Sequence, residues 1–259
     1  FDGKMVNMQF AAKAKELGFT GIEYVNQFFK DKAENTAYLD SLNAAAKAAG
    51  ITQVLIMIDG EGYLGEADSV RRDSAVNAHK KWVTAAKHLG CHSIRVNAHG
   101  EGTAEEVSAN VVKGLTALSQ FAAQHGINVI VENHGGYSSN GAWLADVLKK
   151  VNLPNCGTLP DFGNFCLKRE GGVMWGAPCT EEYDRYKGIE EILPFAKGVS
   201  AKSYDFDAEG NDTKIDYKKM LDLVKASGYS GFIGVEYEGE KDSEIDGIKK
   251  TKALIEKNW

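Results

Sequence analysis

The sequence predicts a parallel α/β protein, most economically a (β/α)8 (TIM) barrel formed as a single domain over residues 1–259. Three observations predict it. One phrase recurs along the chain, in which an amphipathic helical stretch ends at a glycine and a short aliphatic run follows: AKELGFTGIEYV, AKAAGITQVLIMI, AKHLGCHSIRVNA, AAQHGINVIVENH and VKASGYSGFIGVEYEG. The runs after the glycines are nearly continuous in apolar character, as parallel strands covered by helices on their faces should be. Finally, no Gly-rich phosphate fingerprint opens a helix after a strand, which makes a doubly wound dinucleotide fold the weaker alternative.

Taken in order, Val6 to Leu17 reads as a helix with Phe10, Ala14 and Leu17 on one face, followed by a strand from Thr20 to Tyr24. The next helix carries Leu39, Leu42, Ala46 and Ala49 and leads into a strand from Gln53 to Ile58. Val76, Val83, Ala86 and Leu89 mark the third helix, before the strand Ser93 to Asn97. Val107, Val111, Leu115, Leu118 and Ala122 mark the fourth, before Asn128 to Glu132. All four stripes keep the helical period and need a sheet to cover them. Strands at Gly157 to Leu159, Gly198 to Lys202 and Phe232 to Glu236 complete a set one short of eight. The first strand is therefore expected before Phe1, in keeping with a chain that does not open on methionine. Gly18, Gly50, Gly90, Gly126 and Gly228 stand where a left-handed C-terminal cap is wanted, a conformation that costs a residue without Cβ nothing.

Composition narrows the partners. A formal net charge of -6 gives no electrostatic footprint for nucleic acid or an anionic membrane, and no apolar run approaches the roughly 20 residues of a membrane-spanning helix. A small molecule is the favoured partner. Without an N-terminal methionine the compartment, cytoplasmic or exported, stays open. Cys91, Cys156, Cys166 and Cys179 form no CxxC pair and no zinc-closing Cys/His spacing, so they read as free thiols or buried small residues. Two connections exceed what a barrel needs, Asp59 to Asp68 and Phe162 to Lys187. Both follow strands and so belong to the face where barrel enzymes keep their sites.

Three strand ends finish on acids: Glu132 in VIVENHGG, Asp161 in GTLPDFGNF and Glu236 in FIGVEYEG. Closing a barrel brings these ends to one axis, where several anions repel unless a cation or a shared proton relieves them. A divalent metal is the economical answer, with Mg, Mn or Co suited to oxygen donors. The alternative is that each acid only caps the next helix. Glu23 could reach the same mouth or form a structural salt bridge. His134, two residues beyond Glu132, and His99, after SIRVN, are candidate ligands, substrate hydrogen-bonders or acid/base groups, against the reading of ordinary loop histidines. His79, His88, His92 and His125 read as structural. Lys202 closes its strand where an ammonium could stabilise a developing alkoxide, or merely snorkel at the rim. Trp175, in the glycine-rich GVMWGAP, suits the floor of a sugar pocket, whereas Trp143 reads as core.

The phrases IVENHGG, LPDFGNF, VSAKSYDF and FIGVEYEG, with GFTGIEYV upstream, resemble the xylose-isomerase-like barrel superfamily of sugar phosphate isomerases and epimerases. The resemblance implies a divalent metal (Mn, Mg, Co or Zn) held by Glu132, Asp161 and Glu236, with two such glutamates exchanging the proton beside a carbonyl. It also implies a carbohydrate substrate and, as in many such barrels, a homo-oligomer. Two positions depart from the pattern. Ser200 stands where relatives carry a fourth, histidine ligand, while the lysine two residues on is kept as Lys202. Asn164 stands where many relatives carry a substrate-binding histidine.

The leading expectation is a metal-dependent sugar isomerase or epimerase in which Glu132 or Glu236 removes an α-proton and the other returns one. A metal-assisted lyase or dehydratase acting on a keto-sugar or polyol, and a carbohydrate-binding barrel without turnover, are the alternatives. A nuclease would need further strand-end histidines and a basic groove, and the sequence has neither.

Overall fold

A computed structural model describes residues 5–259. Helices α1 (Asn7–Glu16), α2 (Thr36–Ala49), α3 (Ser69–Leu89) and α4 (Ala104–Gln124) alternate with strands β1 (Gly21–Val25), β2 (Thr52–Met57), β3 (Ser93–Val96) and β4 (Asn128–Glu132). After α5 (Gly141–Val151) come β5 (Cys156–Leu159), β6 (Cys166–Arg169) and β7 (Cys179–Glu182). The chain then runs through α6 (Arg185–Ile192), β8 (Val199–Ser203), α7 (Tyr217–Ala226), β9 (Ile233–Tyr237) and α8 (Glu244–Asn258). Each of the seven expected strands is found, shifted by at most a residue. The strand expected before Phe1 lies outside the described residues.

The residues group into two compact units, the chain up to Val131 with Lys150–Gly157, and Glu132–Lys149 with Thr158–Trp259. In the first, β1 to β4 pair in sequence order, all parallel. The helical stripes face inward as the periodicity requires: Leu39, Leu42 and Ala46, Val76, Val83 and Ala86, and Val107, Val111 and Leu115 are all buried. In α1 the buried positions are Ala11 and Ala14, while Phe10 and Leu17 are only half-buried. The five capping glycines all have φ between 66° and 78°. Sharp helix-to-strand turns follow, so every strand starts at a defined register.

In the second unit β8 and β9 are parallel, in a register that sets Ser200 beside Gly234 and Lys202 beside Glu236. A parallel bridge between Asp161 and Ser200 carries the pairing to the segment after β5. Phe162, Phe165, Val199, Met220, Leu221 and Val224 form its core. The long connection after Asp161 is not a plain loop: β6 and β7 make an antiparallel hairpin closed by a Cys166–Cys179 disulfide. This corrects the reading of all four cysteines as free thiols or buried small residues; Cys91 and Cys156 are buried and lie outside the disulfide. The reason is tertiary. The hairpin folds residues 13 apart in sequence to a Cα separation of 5.8 Å, within disulfide reach, a proximity that spacing alone does not reveal.

Candidate metal and substrate site

Glu132, Asp161 and Glu236 come together at the strand ends of the second unit. Each offers a carboxylate oxygen, and these oxygens lie within 4.8 Å of one another. Glu132 and Asp161 are buried and Glu236 is half-buried. The cluster is assembled by a dense set of hydrogen bonds. Asn133, itself fully buried, donates to the carbonyls of Asp161 and Asn164 and accepts from the Asp161 amide at 2.8 Å. That stitches the end of β4 onto the turn after β5. The turn in exchange aims the amides of Gly163 and Asn164 at Asp161 Oδ1, both at 2.9 Å.

Lys202 is the cation of the site. Its Nζ is 3.3 Å from Glu236 and 2.9 Å from Glu238, and it donates to Asn164 Oδ1 at 3.2 Å. Asn164 in turn donates through Nδ2 to Glu132 Oε1 at 2.9 Å, so one amide links the ammonium to the opposite carboxylate. Gly163 makes room for this lysine: a methyl group there would stand 2.6 Å from Lys202 Cδ and 2.7 Å from the Tyr204 hydroxyl. Ser200 donates to Asp161 Oδ2 at 2.7 Å and approaches Glu236 Oε2 at 3.4 Å, a hydroxyl bridging two acids where the resemblance leads one to look for an imidazole.

Four carboxylates thus surround one ammonium, and the protonation of Asp161 and Glu236 reflects the surplus. Burial pushes the Asp161 carboxyl up to about 6, Lys202 opposing and Glu132 reinforcing the shift. Glu236 is also raised, by burial first and against the pull of Lys202. Burial alone would lower the Lys202 ammonium, but Asp161, Glu236, Glu238 and Glu132 together hold it above its ordinary value. An excess of buried negative charge of this kind is what a divalent cation relieves. The donors fit one: oxygen ligands only, with one oxygen from each acid lying within 4.8 Å of the others.

Beside this cluster lies a cavity of about 480 Å³. Asn164 and Lys202 form its inner wall, and His134, Trp175, Arg169, Tyr204 and the disulfide cysteines are among the other groups that line it. His134 is half-buried, its ring centroid 4.6 Å from that of Trp175. Beyond the three acids, four expected site residues of this unit line its cavity: His134, Asn164, Trp175 and Lys202. His99 belongs to the first unit, buried at the end of β3 and packed edge-to-face on Tyr63. Glu23 lies there too, half-buried on β1. His79 bonds its own helix at the Ala75 carbonyl and His88 pairs with Asp40, in line with structural roles. Trp143 is half-buried and stacks on Tyr137 rather than entering the core, because it opens α5 at the surface.

Sequence reasoning missed Glu238, Tyr204, Arg169 and Asn133. The first two had a signal, since each lies two residues beyond a named strand residue, Glu236 and Lys202, and so shares its face. Arg169 had none, because the hairpin that positions it was not foreseen. Among the described residues no helix is long and apolar enough to cross a membrane.

A family model described as xylose isomerase-like TIM barrel matches residues 11–258. No curated protein matches the chain in sequence. Among solved structures, a 3-keto-D-glucoside 4-epimerase from E. coli is similar with a TM-score of 0.76 at 16% identity, covering 97% of this chain and 94% of that one. An L-ribulose 3-epimerase gives 0.76 at 15% identity, over 97% of this chain and 88% of that one. A xylose isomerase-like TIM barrel protein from Mycobacterium smegmatis in complex with magnesium gives 0.70 at 15%, over 98% and 89%. Identities this low carry the fold and not the reaction.

Proposed function

The chain belongs to the xylose isomerase-like TIM barrel family, and from that premise we propose that it is a divalent-metal-dependent isomerase or epimerase of an unphosphorylated sugar or sugar derivative. The observation that carries this reading is the Glu132, Asp161 and Glu236 cluster with its surplus of negative charge around Lys202. The epimerase activities named for two of the structural neighbours, and the magnesium held by a third, support it.

Glu132, Asp161 and Glu236 would hold the metal. A bound divalent ion supplies Lewis-acid polarisation of a substrate carbonyl and its neighbouring hydroxyl. The chain's own groups do the rest. Glu132, fixed by Asn164, and Glu236, fixed by Lys202 and Ser200, are the two carboxylates available to take the α-proton and return one to the substrate. Burial raises the Glu236 carboxyl, against the pull of Lys202, and so makes it a stronger base than a solvated carboxylate. Lys202 places a fixed ammonium where negative charge develops on the substrate oxygen, and needs no reorganisation to do so. Asn164, Trp175 and His134 bind and orient the sugar. The Cys166–Cys179 disulfide supports export over a reducing cytoplasm, because such bonds persist in oxidising compartments.

Ser200 favours a second reading, a carbohydrate-binding barrel without turnover, since the serine and Lys202 already partly satisfy the acids. One experiment separates the two. Ketoses and 3-keto-glucosides are incubated with the protein in deuterated water, with and without added Mn or Mg, and α-proton exchange is followed by NMR. Metal-stimulated exchange that disappears in Glu132→Gln is the expected result. No exchange with any substrate at saturating metal would sink the isomerase reading and leave the binding protein; loss of a β-substituent alongside exchange would identify a lyase.

A further inference from the structure

We propose that the cavity beside the carboxylates is a subsite for a second, neutral sugar ring, so that the substrate is a glycoside or disaccharide-sized keto-sugar rather than a free monosaccharide. The inference rests on the sugar-directed reading above and specifies its substrate class.

Three features of the cavity carry it. The first is its place and size. Its inner wall is Asn164 and Lys202, the two side chains that also touch Glu132 and Glu236, while the three clustered carboxylates are not part of its lining. A ring reacting at the carboxylates therefore has an open space of about 480 Å³ next to it, within the range that encloses drug-sized ligands and more than one hexose fills.

The second feature is Trp175, an indole 43% exposed yet held firmly. His134 packs against it at 4.6 Å, and the Arg169 guanidinium lies 5.7 Å from its centroid. Gly135, at φ 84°, comes so close that a methyl group there would stand 3.1 Å from the ring. Arg169 also donates to the carbonyls of Met174 at 3.1 Å and Ala177 at 2.9 Å, and the Cys166–Cys179 bond closes the base of the same loop. A large aromatic immobilised at a cavity wall, with no core to fill, presents a ready face for the C–H side of a pyranose at little entropic cost.

The third is charge. The cations of the cavity are engaged within the protein: Arg169 by its loop carbonyls, Lys202 by carboxylates, and Lys214 over the Tyr204 ring at 3.9 Å. Glu182 and Glu238 add two acceptors to the same lining. Such a surface suits a polyhydroxyl ring that both donates and accepts, and it disfavours a phosphate.

Calorimetric titration of the intact protein with glucose, trehalose, maltose, cellobiose and glucose 6-phosphate tests the assignment. At least one disaccharide is expected to bind about tenfold more tightly than glucose, the advantage shrinking to about twofold in Trp175→Ala and largely returning in Trp175→Phe. Circular dichroism confirms that the exposed-loop variants remain folded. Equal binding of glucose and all disaccharides overturns the subsite, as does an advantage that survives Trp175→Ala. A preference for glucose 6-phosphate that is lost in Lys214→Ala overturns it in favour of a phosphate site. The unmutated protein at saturating metal keeps the two ideas apart: disaccharide selectivity without any α-proton exchange defeats the isomerase reading alone, and exchange without selectivity defeats the subsite alone.

Discussion

Each of the two units gathers polar residues at its strand ends, and the two gatherings are opposite in kind. In the first unit Asp59, just past β2, accepts from Arg95 Nη1 at 2.7 Å and Asn97 Nδ2 at 2.8 Å, while Asn26 bonds its backbone on both sides. Here a carboxylate is paired with a permanent cation and with amides. In the second unit four carboxylates crowd a single lysine. The first arrangement is balanced and acts as a structural lock between neighbouring strands. The second carries uncompensated charge that the fold tolerates only by raising carboxyl pKa values, so it is poised for a cation or a proton. Acids at strand ends are therefore uninformative by themselves; the ratio of acids to fixed cations distinguishes a site from a lock.

The largest expected effect lies in the second unit. Glu132→Gln keeps the size of the side chain and its bond to Asn164 but removes a base, and turnover should fall by about 10²–10⁴. Steady-state rates beside a thermal melt measure this, and an active variant would mean that Glu132 is not a base. Next, Lys202→Met removes the only ammonium among four acids and should destabilise the apo protein by about 3–5 kcal/mol. Excess Mn or Mg should restore much of that loss, read as a larger metal-induced rise in Tm for the variant than for the wild type. Equal rises in both would show that metal and lysine do not share the same charge.

In the lock of the first unit, Asp59→Asn should cost about 1–3 kcal/mol by urea titration and leave the response to metal unchanged. A changed metal response would break the contrast drawn between the two clusters. A stability effect of similar size is expected of Gly163→Ala. The added methyl group presses on Lys202 and should cost about 1–3 kcal/mol. It should also lower turnover without abolishing metal binding, because the carboxylates themselves are untouched. Retention of full stability would show that Lys202 is more mobile than its contacts with Glu236, Glu238 and Asn164 imply.

Much of this was legible in local pattern. The five glycine-ended phrases located helices and strands to within a residue or so, since a left-handed cap and a stripe of apolar residues are properties of a few consecutive positions. Glu132, Asp161 and Glu236 could be singled out because parallel strands share a direction, so strand-end residues remote in sequence share one edge. The Cys166–Cys179 hairpin was not legible: β6 has no apolar alternation to declare it, and its pairing with β7 is made across the irregular connection 170–178. Nor were the balanced partners of Asp59, which look no different in sequence from the partners of Asp161.

By itself, then, the sequence determined the alternation of helix and strand, the parallel sheet, and which acids reach strand ends, because these follow from short-range periodicity and chain direction. Only the tertiary structure decided that one cluster is neutralised and the other is not, that Ser200 bridges two carboxylates, and that a disulfide-closed loop holds Trp175 over a cavity. Those outcomes depend on distances of 2.7–4.8 Å between groups up to about a hundred residues apart, and electrostatic energy is set by separation and burial rather than by order along the chain.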